Sequence, residues 1–570
     1  MRSMPRKVLS RLRLSWQRRQ INHQVRALIR QVESVKPAPA AGTRPVVLFN
    51  ASTRLTGISL NAGFSLLTRL GLELAGIPTV QFACRSGMSR CVLGTDRSDP
   101  TKAPPCRQCI AQTRSLVNGM PVTWFDPPSY PSLAVRLEGL SLPQLSEFTH
   151  PLSLIPLPLD IQGKGSGDKG IAPSPAGEGR GEVIPLGRLV LPALRWVLRR
   201  HHLVDDEPTR FLLRQYIQSA WNVAQEFTAL LDKENPQAVI VFNGQFFPEA
   251  TARWLAQQRG IPVISHEVGL RPFTAFFTPG EATAYPLHVP DDFELDECQN
   301  SRLDEYLSQR FQGQFSMAGV RFWPEMKGLE PVFVQRMAGF QQVVPVFTNV
   351  IFDTSQPHSN VVFPHMFAWL DLVLELARAH PETLFVLRAH PDESRPGKAS
   401  QESVRQWVAH TQAESLPNLV FIDAHQPLSS YELIQRSKFV MIYNSTIGLE
   451  ASILGAAVLC AGRARFTQLP TVFFPPSQES FRLQAEQFLT ALNIPVPPEF
   501  ARNARRFLYY QLFFSSLPFG DFLEEDGIWP GFVRLRGFAP EKLTPTQSPA
   551  MRAILDGLLR GGTFLLTDDH

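Results

Sequence analysis

A chain of 570 residues is longer than one hydrophobic core usually serves, so two or more domains are expected. With 44% hydrophobic and 19% charged residues the composition is globular, and 49 Pro and 40 Phe point to fixed turns and aromatic packing. The net charge of +5 names no partner by itself, and no apolar run reaches the roughly 18 residues that span a bilayer. The N-terminus has neither a continuous apolar segment nor a small-residue cleavage site, which places the chain in the cytoplasm.

The segment 1–40 is basic. Before the first acidic residue, Glu33, it carries Arg2, Arg6, Lys7, Arg11, Arg13, Arg18, Arg19, Arg26 and Arg30, interleaved with Leu9, Leu12, Leu14, Trp16, Ile21, Val25 and Ile29. Such a helix either lies on an anionic membrane surface, peripheral to its inner face, or packs on its own protein. No basic groove with interleaved aromatics recurs downstream, which argues against nucleic acid.

After the linker Val35–Pro45, Pro45–Asn50 reads as a buried strand, Phe64–Ala75 as a helix, Gly76-Ile77-Pro78 as its stop and Thr79–Phe82 as a second strand. This βαβ unit implies a parallel sheet. A cysteine-bearing loop, 84–109, follows. The piece 161–182 is rich in Gly, Pro and Ser and should be a disordered surface insertion. Leu189–Leu231 is mostly helical, Ala238–Phe242 is a strand and Phe247–Gln258 a helix. Gly260-Ile261-Pro262 repeats the earlier stop before Val263–Ser265. Residues 41–290 thus read as one Rossmann-like domain, with 291–342 as a helical connector.

A second α/β run occupies 343–483. Its strands are Val344–Asn349, Leu384–Arg388, Leu419–Ile422, Phe439–Tyr443 and Ala457–Leu459, separated by helices. Residues 484–570 read as mainly helical, with Phe500, Phe513, Phe514 and Phe519 to pack on one or both sheets. The expected fold class is α/β: two Rossmann-like domains facing across a cleft, with C-terminal helices. Ligands of open α/β sheets bind at the carboxyl ends of the strands.

Candidate chemistry sits at those ends. In Tyr443-Asn444-Ser445-Thr446-Ile447-Gly448-Leu449-Glu450-Ala451, the hydroxyls of Ser445 and Thr446 stand where a helix begins, beside its free N–H groups. That is a phosphate site, or else plain N-capping by Ser445. Gly448 would allow close approach, and Glu450 would accept a ribose or sugar hydroxyl or favour the helix N-terminal field. After Leu384–Leu387 comes Arg388-Ala389-His390-Pro391, where Arg388 could neutralise a phosphate, Pro391 fix the turn and His390 donate to a phosphoryl oxygen. The other reading is a solvated surface turn. Asp423 and His425 follow the next strand. In the N-terminal half His266-Glu267-Val268-Gly269 ends a strand, and Glu267 is either a general base or a structural carboxylate. Asn243-Gly244-Gln245 and the loop with Ser52, Thr53, Arg54 and Gly57 could meet an acceptor.

Cys84, Cys91, Cys106 and Cys109 cluster in a polar, Pro-rich loop, and the last two have the spacing of a metal knuckle. They read as a structural zinc site, with Arg85, Arg90, Arg97 and Arg107 offsetting the thiolates, or as free thiols. A reducing cytoplasm disfavours disulfides. Cys298 and Cys460 look isolated.

Taken together, Val343–Gly462 resembles the capsule polysaccharide biosynthesis proteins that include bacterial β-Kdo transferases, and more distantly the bacterial sialyltransferases of GT-B architecture. The resemblance implies an acidic-x-Gly base motif, matched by Glu267 and Gly269. It implies a His-Pro motif for the CMP of a donor, matched by His390 and Pro391, and a Ser/Thr phosphate pair, matched by Ser445 and Thr446. The acidic motif departs from the pattern, being His-Glu-Val-Gly rather than two adjacent carboxylates. A metal-independent inverting glycosyltransferase is therefore expected, moving Kdo or a related acidic sugar from a nucleotide-sugar, CMP-linked by preference, to a glycan or lipid-linked acceptor. No Asp-x-Asp pair stands at a strand end, so no catalytic divalent metal is expected. A nucleotide-sugar epimerase of similar architecture and a non-catalytic pathway protein are the alternatives.

Overall fold

The structure, a computed structural model, describes residues 6–49, 57–117, 119–127, 130–151, 183–312, 316–317, 320–321, 327–395, 397–529 and 531–567. The expected insertion 161–182 and the loop residues Ser52, Thr53 and Arg54 lie outside them.

Six strands of the N-terminal half are β1 (Val46–Phe49), β2 (Thr79–Cys84), β3 (Val122–Phe125), β4 (Ala238–Phe242), β5 (Val263–Val268) and β6 (Thr274–Thr278). The first five are parallel in spatial order β3-β2-β1-β4-β5, and β6 returns antiparallel beside β5. The C-terminal sheet holds β7 (Gln342–Phe347), β8 (Thr383–Arg388), β9 (Leu419–Ile422), β10 (Val440–Ile442) and β11 (Val458–Cys460). All are parallel, in order β9-β8-β7-β10-β11. Both sheets therefore reverse their winding once, between β1 and β4 and between β7 and β10. A crevice opens at each reversal, at the carboxyl ends of the strands.

The helix stops follow the expected chemistry. Gly76 (φ +78°) and Gly260 (φ +66°) lie just past the helices Leu60–Leu74 and Phe247–Gln258. Gly76 N–H donates to Glu73 O and Ile77 N–H to Leu72 O, both at 3.0 Å. Gly260 and Ile261 repeat the pair on Gln257 and Ala256, at 3.0 and 2.9 Å. This cap needs a left-handed residue, which glycine supplies without a Cβ clash.

Three expectations change. The connector 291–342 is not purely helical: besides Glu297–Phe311 and Pro331–Ala338 it holds a short hairpin, Ser316–Met317 with Val320–Arg321. The region 484–570 is not a helical appendage. After the helices Gln478–Thr490 and Pro498–Tyr509, the chain crosses back and adds β12 (Leu517–Pro518) to the N-terminal sheet, antiparallel to β6. Leu523–Glu525 and Phe532–Leu535 form a small sheet with Ile58–Ser59, and the helix Pro549–Arg560 packs on Leu60–Leu74. Phe519, Phe522, Met551 and Ile554 thereby share a core with Phe64 and Leu67.

The third change concerns the basic segment. Arg6–Val35 is one helix, and Ile21, Val25, Leu28, Ile29 and Val32 are buried in that same N-terminal core. The later half of the segment packs on its own protein. Trp16 is exposed. Among the described residues no helix is long and apolar enough to cross a membrane.

Candidate active site between the two sheets

A cavity of about 730 Å³ lies between the carboxyl ends of the two sheets, lined from both halves of the chain. Ligand pockets typically fall in this size range. Its floor on the C-terminal side is the reversal point itself: Thr348 and Asn349 follow β7, and Asn444, Ser445 and Thr446 follow β10.

Strand β8 delivers Arg388 and His390 to the wall. Arg388 is buried, which lowers its guanidinium to a pKa of about 10, still fully charged at neutral pH. The Asp392 backbone N–H donates to His390 Nδ1 at 3.2 Å, and His390 N–H donates to Thr348 Oγ1 at 3.2 Å. Burial lowers the His390 pKa, so the ring is neutral. With Nδ1 accepting, its proton sits on Nε2, which makes His390 a fixed neutral donor. Pro391 opens the short 3₁₀ turn that sets this geometry and also lines the cavity.

Ser445 and Thr446 line the cavity, and the capping alternative does not hold: Thr446 is the cap residue, has helical backbone angles and makes no side-chain capping bond. The following helix, Ile447–Ile453, has only seven residues, so the hydroxyls carry more of any anion binding than a helix field would. Two expected contacts are displaced. Gly448 does not line the cavity; a Cβ there would stand 2.2 Å from Ile442 Cδ1, so its smallness lets the helix pack on the sheet. Glu450 does line it, but Arg310 Nε and Tyr431 Oη both donate to its carboxylate. It is a buried charge already engaged, not a free acceptor for a sugar hydroxyl. Asp423 similarly pairs with Arg405 and does not line the cavity, nor does His425.

On the opposite wall β5 runs three residues further than expected, so its alternation assigns the side chains. His266 turns into the core and stacks on Phe277, ring centroids 5.2 Å apart, and burial drops its pKa to about 4. Glu267 faces the other way, into the cavity. Asn243 Nδ2 donates to it at 2.9 Å, the Val268 N–H at 3.0 Å and Asn61 Nδ2 at 3.3 Å. Burial outweighs these bonds and raises the Glu267 pKa. Asn243, held in the left-handed region at φ +61°, thus acts as a support for Glu267. Gly269 is required: a Cβ would stand 2.4 Å from Thr274 Oγ1.

Sequence reasoning missed several lining residues. Asp353 lies within electrostatic reach of both Glu267 and His390. Arg465 stacks on Tyr285 at 4.0 Å, and Arg199 stacks on Trp196 at 4.0 Å, both at the cavity wall. His358, from the C-terminal half, pairs with Glu281 of the N-terminal half at 2.7 Å. Burial works against the Glu281 charge, but His358 and Arg253 prevail and hold its pKa down at about 2. Seven Arg or Lys residues line the cavity against four Asp or Glu, so it favours an anionic ligand.

Two Rossmann-like sheets facing across a polar cleft, with a chain end crossing back to the first, define a GT-B-like α/β protein. Residues 341–471 match the family of capsule polysaccharide biosynthesis proteins, the kin that the sequence motifs resemble. Among solved structures, the chain is similar to a β-Kdo 2,7 transferase, KpsC of Thermosulfurimonas dismutans (14% identity, 56% of this chain and 87% of that chain, TM-score 0.31). It is also similar to the β-Kdo 2,4 transferase of the same KpsC (11%, 49% and 80%, TM-score 0.32) and to the UDP-GlcNAc 2-epimerase of Neisseria meningitidis (16%, 51% and 80%, TM-score 0.22). No curated protein sequence matches the chain.

Proposed function

We propose that this protein is a glycosyltransferase of surface polysaccharide synthesis that takes its sugar from a nucleotide-activated donor. The observation that carries the reading is the confrontation across one cavity of a half-buried carboxylate, Glu267, with a phosphate-binding set, Arg388, His390, Ser445 and Thr446. Glu267 removes the proton from the attacking acceptor hydroxyl as the bond to the anomeric carbon forms. The leaving phosphate gathers negative charge on the far side, where the Arg388 charge, the His390 Nε2–H and the two hydroxyls stabilise it. Attack from one face and departure from the other inverts the anomeric centre. The excess of basic residues along the cavity suits a donor with a carboxylate besides its phosphate, which agrees with a CMP-linked Kdo-like sugar. The cavity residues do this without a catalytic divalent metal. The basic N-terminal helix, on which Trp16 is exposed, would bring the enzyme to a lipid-linked acceptor at the inner face of the membrane.

The test is a transfer assay with CMP-Kdo and a Kdo-primed glycolipid, in EDTA, on the wild type and Glu267→Gln. The reading expects acceptor-dependent release of CMP in EDTA, reduced about 10²- to 10⁴-fold by the substitution. Turnover of the sugar nucleotide with no acceptor present would replace it with the epimerase reading.

A further inference from the structure

The four-cysteine loop takes no part in the cleft: none of its thiols lines the central cavity. They belong instead to a separate small cavity, walled by Cys84, Cys91, Cys106 and Cys109 with Met88, Ile110 and neighbouring prolines. Its volume is about 20 Å³, room for one water-sized occupant. Cys84 is the last residue of β2, Cys106 the first of the helix Cys106–Leu116, and Cys109 lies one turn on. Between Cys84 and Cys106 the chain forms neither helix nor strand and buries a single large apolar side chain, Met88. A stretch this long without secondary structure needs a cross-link or a function to hold one shape.

We propose that the four thiols bind one zinc ion that fastens this loop to the rim of the N-terminal sheet. The turn after the first cysteine already aims a backbone donor at sulfur, although burial raises the thiol pKa of Cys84 and Cys91 to about 12. Gly87 N–H donates to Cys84 Sγ at 3.2 Å, while Gly94 N–H donates to the Cys91 carbonyl at 3.1 Å and closes the second turn. Backbone donors to sulfur stabilise a thiolate and orient it toward a metal. A Cβ on Gly94 would meet Pro104 at 2.7 Å and Cys91 Sγ at 3.2 Å, so glycine is what lets this turn close on its cysteine. None of the four forms a disulfide. Among the described residues no three such side chains stand drawn together as a finished metal cage. The thiols share a cavity, and an ion would pull them in to bonding distance as four protons leave to solvent. All-sulfur tetrahedral coordination selects zinc among the common divalent ions.

The experiment is elemental analysis of the full-length protein purified without chelator, with a Cys106→Ser/Cys109→Ser variant beside it. The proposal expects about one zinc per chain, lost in the variant. Cobalt(II) offered to the stripped protein should give the visible bands of a tetrahedral thiolate complex, a readout that does not depend on the variant's folding. Nucleotide affinity of the stripped wild type should stay within about twofold of the loaded protein, because the nucleotide half of the cleft lies in the other domain. Folded wild-type protein without metal and with all four thiols open to a thiol reagent would overturn the proposal. So would an iron–sulfur chromophore, or a mass showing two disulfides.

Discussion

Glu267 separates the catalytic reading from the structural one by a single substitution. A half-buried carboxylate whose pKa desolvation raises costs stability in its charged form. Glu267→Gln should therefore leave the melting temperature unchanged or higher while kcat falls, whereas a carboxylate kept only for structure would lose stability. The sign of the pH dependence follows. The base form grows as pH rises through the raised pKa, so the acid limb of kcat/KM lies above the ordinary glutamate range and moves with conservative changes at Asn243. Glu450 predicts the opposite pattern. Its carboxylate neutralises Arg310, Glu450 being buried and Arg310 partly so. Glu450→Gln removes that carboxylate from the pair and should cost about 3 kcal/mol, read as a lowered melting temperature. The sequence revealed that Glu450 follows the phosphate motif but not that Arg310, 140 residues earlier, already holds it.

At the level of elements, the strands of the C-terminal sheet were legible because each apolar run stops near turn-forming or charged residues, although β7 ends two residues earlier than expected, at Phe347. Leu419–Ile422 and Ala238–Phe242 agree residue for residue with the structure. The end of β5 was not legible: His266 and Glu267 read as loop, because polar residues in a strand look like a turn until a partner strand is known. β6, Thr274–Thr278, was missed as well, and it is β6 that crowds Gly269. Gly269→Ala should push Thr274 and the β5–β6 hairpin apart, destabilise the fold by about 1–3 kcal/mol, and lower kcat more than it raises KM, since Glu267 stands two residues away. Urea denaturation with parallel kinetics on this variant checks both parts. Arg199, Asp353 and Arg465 had no local signal at all. Only the meeting of the two sheets gives them a common cavity.

For the whole molecule, the returning chain end matters most. Residues from Leu517 onward complete the N-terminal sheet and bury Phe64 and Leu67, so they belong to the first domain's core although they are last in sequence. Truncation after Ser516 should abolish cooperative unfolding of the N-terminal half, followed by calorimetry, and not merely shorten a helical tail. The His358–Glu281 pair is a second clamp between the halves, with His358 at the cavity wall. Because Glu281 is held near 2, its share of the clamp is complete above the unfolded glutamate range and is lost as pH falls toward 2.

The proposed function puts a nucleotide in the cleft with its phosphate at His390. Calorimetric titration of the wild type and His390→Ala with CMP, UDP and GDP is the test. CMP should bind best, and His390→Ala should weaken it at least tenfold in a protein that melts as before. Folded wild-type protein that binds none of the three nucleotides would contradict the proposal.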